Sequence, residues 1–222
     1  MTLPKMILFD YGGTLIAEPN FSSLRAVEMY DKHVRAVLKH GYEVTEESYM
    51  RLAYGLLGIE FGVPYEELSR VFWDGCSDCA VMPHIEELLE YLQTRGIRTG
   101  VISNLTHSGD TLRGRIDRML PRNGFEFIIA SSDYGVRKPD PLIFELALAK
   151  ADLAPEDVWF CGDDVRCDVD GAAAAGLHPV FYTGNLAEHD GNDGAEPSCE
   201  HLHIGDWREL TGRLEALSGG KQ

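Results

Sequence analysis

The sequence lacks any hydrophobic run long enough to cross a membrane. A membrane-spanning helix requires about 18 or more consecutive apolar residues, whereas the apolar stretch nearest the N-terminus, Met6–Phe9, is interrupted at Asp10. No small-residue cleavage site follows that stretch, so we do not interpret it as a signal peptide. The sequence therefore argues against a membrane protein, and we expect a cytoplasmic one.

The sequence also has few basic residues and few cysteines. Its 20 Lys and Arg stand against 36 Asp and Glu, a formal net charge of −16. Docking on nucleic-acid backbones or anionic lipid needs a basic face, so neither partner is expected. The five cysteines are odd in number and lie in a chain too long to depend on disulfides, which indicates reduced thiols. The sequence does not determine the oligomeric state.

The remaining composition is that of a soluble globular protein, with 44% hydrophobic and 25% charged residues in 222. Short apolar runs predict strands at 5–9, 97–102, 125–130, 158–161, 178–182 and 202–204. Helical patterns are predicted at 83–93, 110–120, 141–150, 168–175 and 206–217. Strands that alternate with helices favour βαβ units and a parallel sheet covered on both faces. We therefore expect an α/β fold with a doubly wound, Rossmann-like core.

Residues 16–80 differ from the rest of the chain. Apolar residues there recur at helical spacing, beginning with Leu24, Val27 and Tyr30, and no strand is predicted. We expect two domains: an α/β core of residues 1–15 and 81–222, and an all-helical insert of residues 16–80. Substrate contacts from the insert remain open among Glu18, Tyr54, Glu60 and Tyr65.

Reactive side chains follow the predicted strands. Asp10 follows the first strand, Ser103 the second, and Asp163 and Asp164 the fourth, while Lys138 precedes a helix. Parallel sheets bind ligands at the carboxyl ends of their strands, so these groups are expected in one crevice. The combination fits a carboxylate nucleophile, a hard divalent cation and an anionic substrate.

Four motifs occur in a fixed order along the chain: Asp10-x-x-Gly13-Thr14, Ser103, Lys138-Pro139, and Gly162-Asp163-Asp164 with Asp168. With these motifs the sequence resembles the haloacid dehalogenase superfamily of hydrolases and phosphotransferases. The resemblance covers residues 5–15 and about 81–182, and it places the helical insert where that family has its cap domain.

The resemblance implies a role for each matching residue. Asp10 resembles the nucleophile that forms an aspartyl phosphate, and Lys138 the cation that neutralises nucleophile and phosphate. Thr14 and Ser103 resemble the hydroxyls that bind the transferring group, and Asn104 is expected to join Ser103 and Lys138 in binding substrate. The resemblance implies Mg²⁺ held by Asp10, the backbone carbonyl of Gly12 and Asp163, with Asp164 and Asp168 behind these ligands. A small phosphorylated metabolite is the expected substrate.

One position departs from the family's phosphatases. They carry a second Asp, a general acid and base, two residues after the nucleophile, where this chain has Gly12. General acid–base catalysis is typically worth about 10²–10⁴ in rate. Three alternatives to a full phosphatase follow: a weakly active or non-catalytic protein that binds a phosphorylated ligand, a metal-independent dehalogenase, or a phosphonate-cleaving enzyme with a cap lysine. The acidic motif at Asp163 and Asp164 disfavours the dehalogenase, and the regular helical setting of Lys32 and Lys39 disfavours the third.

A further acidic segment, Asp190-x-Asn192, is similar to the start of a calcium-binding loop. Gly194 and His201 occupy later positions that would need oxygen ligands. We therefore do not predict calcium binding there.

Overall fold

The structure is a computed structural model that describes residues 2–17, 80–184 and 194–219, together with the single positions 43, 45, 48, 51, 64 and 192. Within these residues no helix has the length and apolarity needed to span a membrane. The insert residues Glu18, Lys32, Lys39, Tyr54, Glu60 and Tyr65 lie outside the described residues, and so does most of the predicted all-helical insert.

Strands and helices alternate through the described core. The strands are β1 (Met6–Phe9), β2 (Arg98–Ser103), β3 (Ile128–Ala130), β4 (Val158–Gly162), β5 (His178–Tyr182) and β6 (Leu202–Ile204). The helices are α1 (Ile85–Thr94), α2 (Gly109–Met119), α3 (Ser131–Tyr134), α4 (Pro141–Ala151), α5 (Gly171–Ala174) and α6 (Trp207–Gly219). A 3₁₀ turn covers Pro155–Asp157, and a π-helical turn covers Val165–Asp170.

The six strands form one parallel sheet in the order β3-β2-β1-β4-β5-β6. This confirms the predicted doubly wound α/β core. The chain builds outward from β1 to β3 and then returns to place β4 on the other side of β1. The strand order therefore reverses between β1 and β4, and the carboxyl ends of these two strands form the place where such sheets bind ligands, called the crevice below.

The central strand β1 is fully buried, and its side chains alternate between the two faces of the sheet. Ile7 and Phe9 join one hydrophobic cluster, whereas Met6 and Leu8 join the other. A parallel sheet covered on both faces needs continuous apolar strands, which explains why β1 has no polar position.

Helices cover both faces of the sheet. On one face, α1, α2 and α6 bury apolar side chains, and Trp207 stacks on Tyr182 at 4.2 Å between ring centroids. On the other face, α4 and α5 pack over the sheet, and Phe144 meets Phe160 edge-on at 5.3 Å. Truncating one such buried aromatic side chain to alanine typically costs about 3–5 kcal/mol.

Local sequence signals set the starts of two helices. Ser108 accepts a hydrogen bond from the Thr111 amide at the start of α2, and Asp140 accepts one from Leu142 at the start of α4. Pro141 occupies the first turn of α4, where its missing N–H costs nothing. These caps satisfy backbone amides of the first turn and so fix the residue at which each helix begins.

Two predicted starts were wrong by three residues, and several other boundaries differ by one or two. The strand expected from Phe125 begins only at Ile128, although the Glu126 amide already donates to the Thr99 carbonyl at 2.9 Å. The helix expected from Asp168 begins earlier, at Val165, as a π-helical turn that Asp164 caps. In both places the hydrogen bonding differs from that of the regular element. The Glu126 amide bonds to Thr99 before β3 begins, and the Cys167 amide bonds to the side chain of Asp164.

The two chain segments that flank the predicted insert lie side by side in the core. Ile16 pairs antiparallel with Val81, the Ala17 amide donates to Ala80, and the Met82 amide donates to Leu15. These bonds bring the chain at 15–17 beside the chain at 80–82. A separate domain between 16 and 80 remains a prediction.

Candidate active site

The polar groups predicted from strand ends lie at the crevice between β1 and β4. Asp10 directly follows β1, and its amide still donates to the Cys161 carbonyl of β4 at 2.8 Å. Asp163 directly follows β4, and Ser103 is the last, buried residue of β2. The carboxyl ends of neighbouring parallel strands therefore bring together groups that are distant in sequence.

The turn after β1 holds Asp10 against the end of β4. The Gly13 amide donates to the Ile16 carbonyl at 2.9 Å, and Gly13 has a φ of 72°, a conformation that favours glycine. A Cβ atom at Gly13 would also collide with the carboxylate of Asp163. Gly13 is thus required both by its backbone conformation and by the space that Asp163 occupies.

Thr14 is fully buried in the same turn. Its hydroxyl donates to Oδ1 of Asp163 at 3.2 Å. The resemblance assigns this hydroxyl to the transferring group, whereas the structure places it on the acidic side chain after β4. Thr14 therefore links the two strand ends and orients Asp163.

Lys138 is the buried cation of the site, with only 2% of its side chain exposed. Its Nζ donates to Oδ1 of Asp10 at 2.5 Å, to Oδ1 of Asp168 at 2.6 Å and to the Ile102 carbonyl at 3.1 Å. These three acceptors match the three N–H groups of an ammonium. Burial alone would lower the pKa of Lys138, but the charges of Asp10 and Asp168 outweigh it and raise that pKa above its ordinary value. Lys138 is therefore a permanent positive charge.

Asn104 holds the backbone of Lys138. Its Oδ1 accepts a hydrogen bond from the Lys138 amide at 2.8 Å, and its Nδ2 donates to the Lys138 carbonyl at 2.9 Å. The sequence predicts a substrate contact for Asn104, but both ends of its carboxamide bond to Lys138. This arrangement fixes the start of the Lys138 side chain in the site.

The segment after β4 folds back on itself through its own carboxylates. Asp164 Oδ1 accepts from the Cys167 amide at 2.6 Å, and Asp168 Oδ2 accepts from the Asp164 amide at 3.0 Å. Gly162 leaves room for this, because a Cβ there would collide with the Asp168 side chain. Asp164 thus caps the π-helical turn, while Asp168 bonds both to the turn and to Lys138.

Asp168 is buried between charges of both signs. Burial raises the pKa of Asp168 to about 7, with Asp10 and Asp164 adding to the rise and Lys138 opposing it. The ionisation of the Asp168 carboxyl therefore depends on the charges of Lys138, Asp10 and Asp164.

Three carboxylates of the site could hold one cation. Asp10, Asp163 and Asp168 each offer an oxygen, and these oxygens all lie within 4.8 Å of one another. Carboxylate oxygens are the ligands that Mg²⁺ prefers. When these three carboxyls are ionised, their charge exceeds that of Lys138, and a divalent cation would neutralise the excess. The donor set therefore fits Mg²⁺, and Gly12, the other predicted ligand, lies in the turn between Asp10 and Gly13.

Two described residues near the site were not predicted from the sequence. Glu43, which belongs to the segment predicted as an insert, accepts a hydrogen bond from the Ser131 hydroxyl and lies 3.5 Å from Arg137, the neighbour of Lys138. Asn192 bonds to the backbone on both sides of Asp164. Neither residue could be predicted from its position in the sequence, because neither follows a predicted strand or belongs to one of the four motifs.

Comparison with known proteins identifies the family. The pattern of the haloacid dehalogenase-like hydrolases matches residues 4–176. The chain belongs to the haloacid dehalogenase-like hydrolase family. This confirms the resemblance seen in the four motifs and makes the crevice between β1 and β4 the candidate active site of a hydrolase.

Similar proteins include curated hydrolases and solved structures. The hydrolase is 34% identical over 122 residues to haloacid dehalogenase-like hydrolase domain-containing protein 3 of Homo sapiens, covering 55% of this chain and 47% of that protein. It is 29% identical over 144 residues to phosphoserine phosphatase of Thermus thermophilus, covering 65% and 55%. The chain thus spans about half the length of these relatives.

A solved structure extends the likeness of fold to nearly the whole chain. The magnesium-bound HAD-hydrolase YfnB of Bacillus subtilis aligns over 96% of this chain and 99% of its own, with a TM-score of 0.66 and 18% identity. At that identity the likeness concerns the fold.

Proposed function

We propose that this hydrolase is a magnesium-dependent phosphatase that moves the phosphoryl group of a small phosphorylated metabolite first to Asp10 and then to water. The observation that carries the proposal is the buried ammonium of Lys138 between Asp10 and Asp168, beside a third carboxylate, Asp163. The name of the phosphoserine phosphatase relative supports the substrate class.

Asp10, Asp163 and the Gly12 carbonyl are the proposed ligands of Mg²⁺. The ion, when bound, supplies positive charge that offsets the crowded carboxylates and the phosphoryl oxygens. Asp168 and Asp164 are assigned to the surroundings, because their oxygens already bond to Lys138 and to backbone amides. These outer carboxylates orient the residues that carry the reaction.

Asp10 is the proposed nucleophile. One of its carboxylate oxygens attacks phosphorus while the bond from phosphorus to the leaving oxygen breaks, which gives an aspartyl phosphate. Water then attacks phosphorus, the bond to the Asp10 oxygen breaks, and inorganic phosphate leaves. Lys138 stays protonated throughout and neutralises the charge on Asp10 and on the phosphoryl group. Ser103 is the proposed hydroxyl donor to the phosphoryl group, and Thr14, whose hydroxyl donates to Asp163, is proposed to line the same site.

Gly12 is expected to limit the leaving groups for which the enzyme hydrolyses phosphate esters efficiently. The leaving oxygen of an alkyl phosphate needs a proton, and Gly12 offers no acid where related phosphatases have an Asp. Activity is therefore expected to favour substrates with good leaving groups, unless the insert supplies an acid. The same observation favours a second candidate function, a weakly active protein that binds a phosphorylated ligand.

Hydrolysis of an activated aryl phosphate, measured with Mg²⁺ and with a chelator, tests the proposal. The aryloxide of such a substrate leaves without a proton, so its hydrolysis does not need the acid that Gly12 lacks. The expected result is turnover that requires Mg²⁺. Phosphate binding without turnover would favour the second candidate, and halide release from a 2-haloacid without metal would establish dehalogenase chemistry instead.

A matched pair of variants separates chemistry from folding. Asp10→Asn keeps the size of the side chain but cannot form the acyl phosphate, so turnover should disappear. Asp157→Asn is the control, because Asp157 also pairs with a lysine, Lys5, at 2.7 Å but does so on the surface. Normal activity in Asp10→Asn would exclude Asp10 as the nucleophile.

A further inference from the structure

Asn192 reaches the active site from a different part of the chain. It lies between β5 and β6, 29 residues beyond Asp163. Its Nδ2 donates to the backbone carbonyl of Asp163 at 2.9 Å, and its Oδ1 accepts from the amide of Val165 at 2.7 Å. One carboxamide therefore connects to the peptide groups on both sides of Asp164.

These two bonds fix the backbone at the point where the chain leaves β4. Val165 begins the π-helical turn, and the first amides of a helical segment have no partner within it. Asn192 supplies that partner, and it also engages the carbonyl of the residue whose carboxylate enters the crevice. The orientation of the two peptide groups determines where the Asp163 side chain begins and points.

The Asp163 side chain is restrained from the opposite side by Thr14, whose hydroxyl donates to its Oδ1 at 3.2 Å. Gly13 approaches too closely for any Cβ. Asp163 thus has its carboxylate held from the β1 turn and its backbone held by Asn192. A metal ligand fixed at both ends loses little freedom when a cation binds.

The same device recurs at Lys138, where Asn104 accepts from the amide and donates to the carbonyl of one residue. In each case a carboxamide from another segment fixes the backbone of a charged residue of the crevice. The two charged groups on which the proposed reaction depends are therefore positioned in the same way.

We propose that Asn192 is a positioning residue for Asp163, holding the backbone after β4 so that the carboxylate is aligned for a divalent cation. The inference rests on the proposed function, because it takes Asp163 as a ligand of Mg²⁺. It assigns a role to a residue that the four motifs do not contain.

The test is Asn192→Leu, which keeps approximate size and adds no charge but removes both hydrogen bonds. Loss of groups that support a metal ligand typically weakens metal binding about 10–100-fold. We expect the dissociation constant for Mg²⁺, measured by calorimetry without substrate, to rise at least about tenfold. We also expect amide hydrogen exchange at Val165, measured by NMR without metal, to accelerate at least about tenfold, while the Asp10 amide is unchanged.

Asn123→Leu is the matched control. Asn123 forms the same kind of bridge far from the crevice, accepting from the Phe125 amide at 2.9 Å and donating to the Leu120 carbonyl at 2.8 Å. Its loss should accelerate exchange at Phe125 and leave Mg²⁺ binding unchanged. Asn192→Asp keeps the acceptor for Val165, so exchange at Val165 should stay close to that of the wild type even if Asn192→Leu folds poorly.

The outcomes separate the inference from the proposed function. Unchanged Mg²⁺ affinity in folded Asn192→Leu would overturn the inference alone, and so would equal weakening in Asn123→Leu. Rapid Val165 exchange in Asn192→Asp would contradict the assigned bond. A wild-type protein that does not bind Mg²⁺, or binds it equally after Asp163→Ala, would overturn the proposed metal site and the inference with it.

Discussion

Replacing Lys138 by methionine removes a buried cation that lies between two carboxylates. Its Nζ lies 2.5 Å from Asp10 and 2.6 Å from Asp168, and the side chains of Lys138 and Asp168 are each 2% exposed. Methionine keeps the length and apolar stem of the side chain, so the change is mainly one of charge. Asp10 and Asp168 are then left in the crevice without their shared partner.

The expected cost follows from that burial. Breaking a buried ion pair by removing one partner typically costs about 3–5 kcal/mol, because the remaining charge is desolvated and unpaired. Without metal, at about pH 8, we expect the free energy of unfolding of Lys138→Met to fall by this amount. The pKa of Asp168, already raised to about 7 by burial, should rise further once Lys138 no longer opposes the shift.

The raised pKa of Asp168 determines how the loss of unfolding free energy in Lys138→Met changes with pH. A carboxyl whose pKa is higher in the folded than in the unfolded state binds protons more strongly when folded, so its protonation favours the folded state. The cost of Lys138→Met is therefore greatest at about pH 8 and shrinks as the pH falls toward 6. Urea unfolding, followed by the fluorescence of buried Trp159 and Trp207 in the presence of chelator, measures this difference.

Lys5→Met is the control, because Lys5 is 62% exposed in its pair with Asp157. An exposed pair contributes about 0–1 kcal/mol. If Lys138→Met costs no more than Lys5→Met, or if its cost does not change with pH, Lys138 does not neutralise buried ionised carboxylates in the crevice. The account of Lys138 would then be refuted.

Three further predictions concern the metal, the leaving group and a histidine near the site. Asp163→Ala should raise the Mg²⁺ concentration needed for half-maximal activity by at least about a hundredfold in a folded protein. That exceeds the roughly 10–100-fold effect typical of residues that only support a metal ligand. An unchanged Mg²⁺ requirement would contradict the role of Asp163 as a ligand. Gly12→Asp should raise kcat/KM about tenfold for alkyl phosphates and little for aryl phosphates, short of the 10²–10⁴ of an optimised acid; equal changes for both would exclude a lost general acid. Burial and the charge of Arg115 lower the pKa of His107 to about 4, so the unfolded chain binds its proton first as the pH falls below about 6.5. Wild-type stability should therefore drop, relative to His107→Asn, by up to about 2 kcal/mol between pH 7.5 and pH 5, and parallel pH profiles in urea unfolding would contradict this.

The fold was predictable because the central strands β1 and β4 are almost purely apolar and strand and helix patterns alternate along the core. β5 (His178–Tyr182) and β6 (Leu202–Ile204) were predicted with the bounds observed, since turn residues or polar segments end each apolar run. The helix α3 (Ser131–Tyr134) was missed because four residues are too few to show a helical period. The π-helical turn was also missed, although Asp164, which caps it, is a residue type that is common at helix starts.

The site was predictable where side chains follow strand ends, and not where contacts come from elsewhere. Asp10 and Asp163 lie close together because they directly follow β1 and β4, and parallel strands bring their carboxyl ends to one edge. The two-sided bonding of Asn104 to Lys138 was not predictable, since a sequence does not show which backbone a carboxamide reaches. Asn192 was considered only as part of a possible calcium loop, and its bonds across 27 and 29 residues depend on the folded path of the chain.

The identity of the nucleophile is the central claim, and rapid acid quenching tests it most directly. The enzyme would be mixed with Mg²⁺ and an aryl phosphate carrying radiolabelled phosphorus, quenched in acid during turnover, and digested for peptide mapping. The account predicts label on the peptide that contains Asp10, released by hydroxylamine as an acyl phosphate is, and no label in Asp10→Asn. Turnover without covalent label, or label on Ser103 or Thr14 instead, would contradict it.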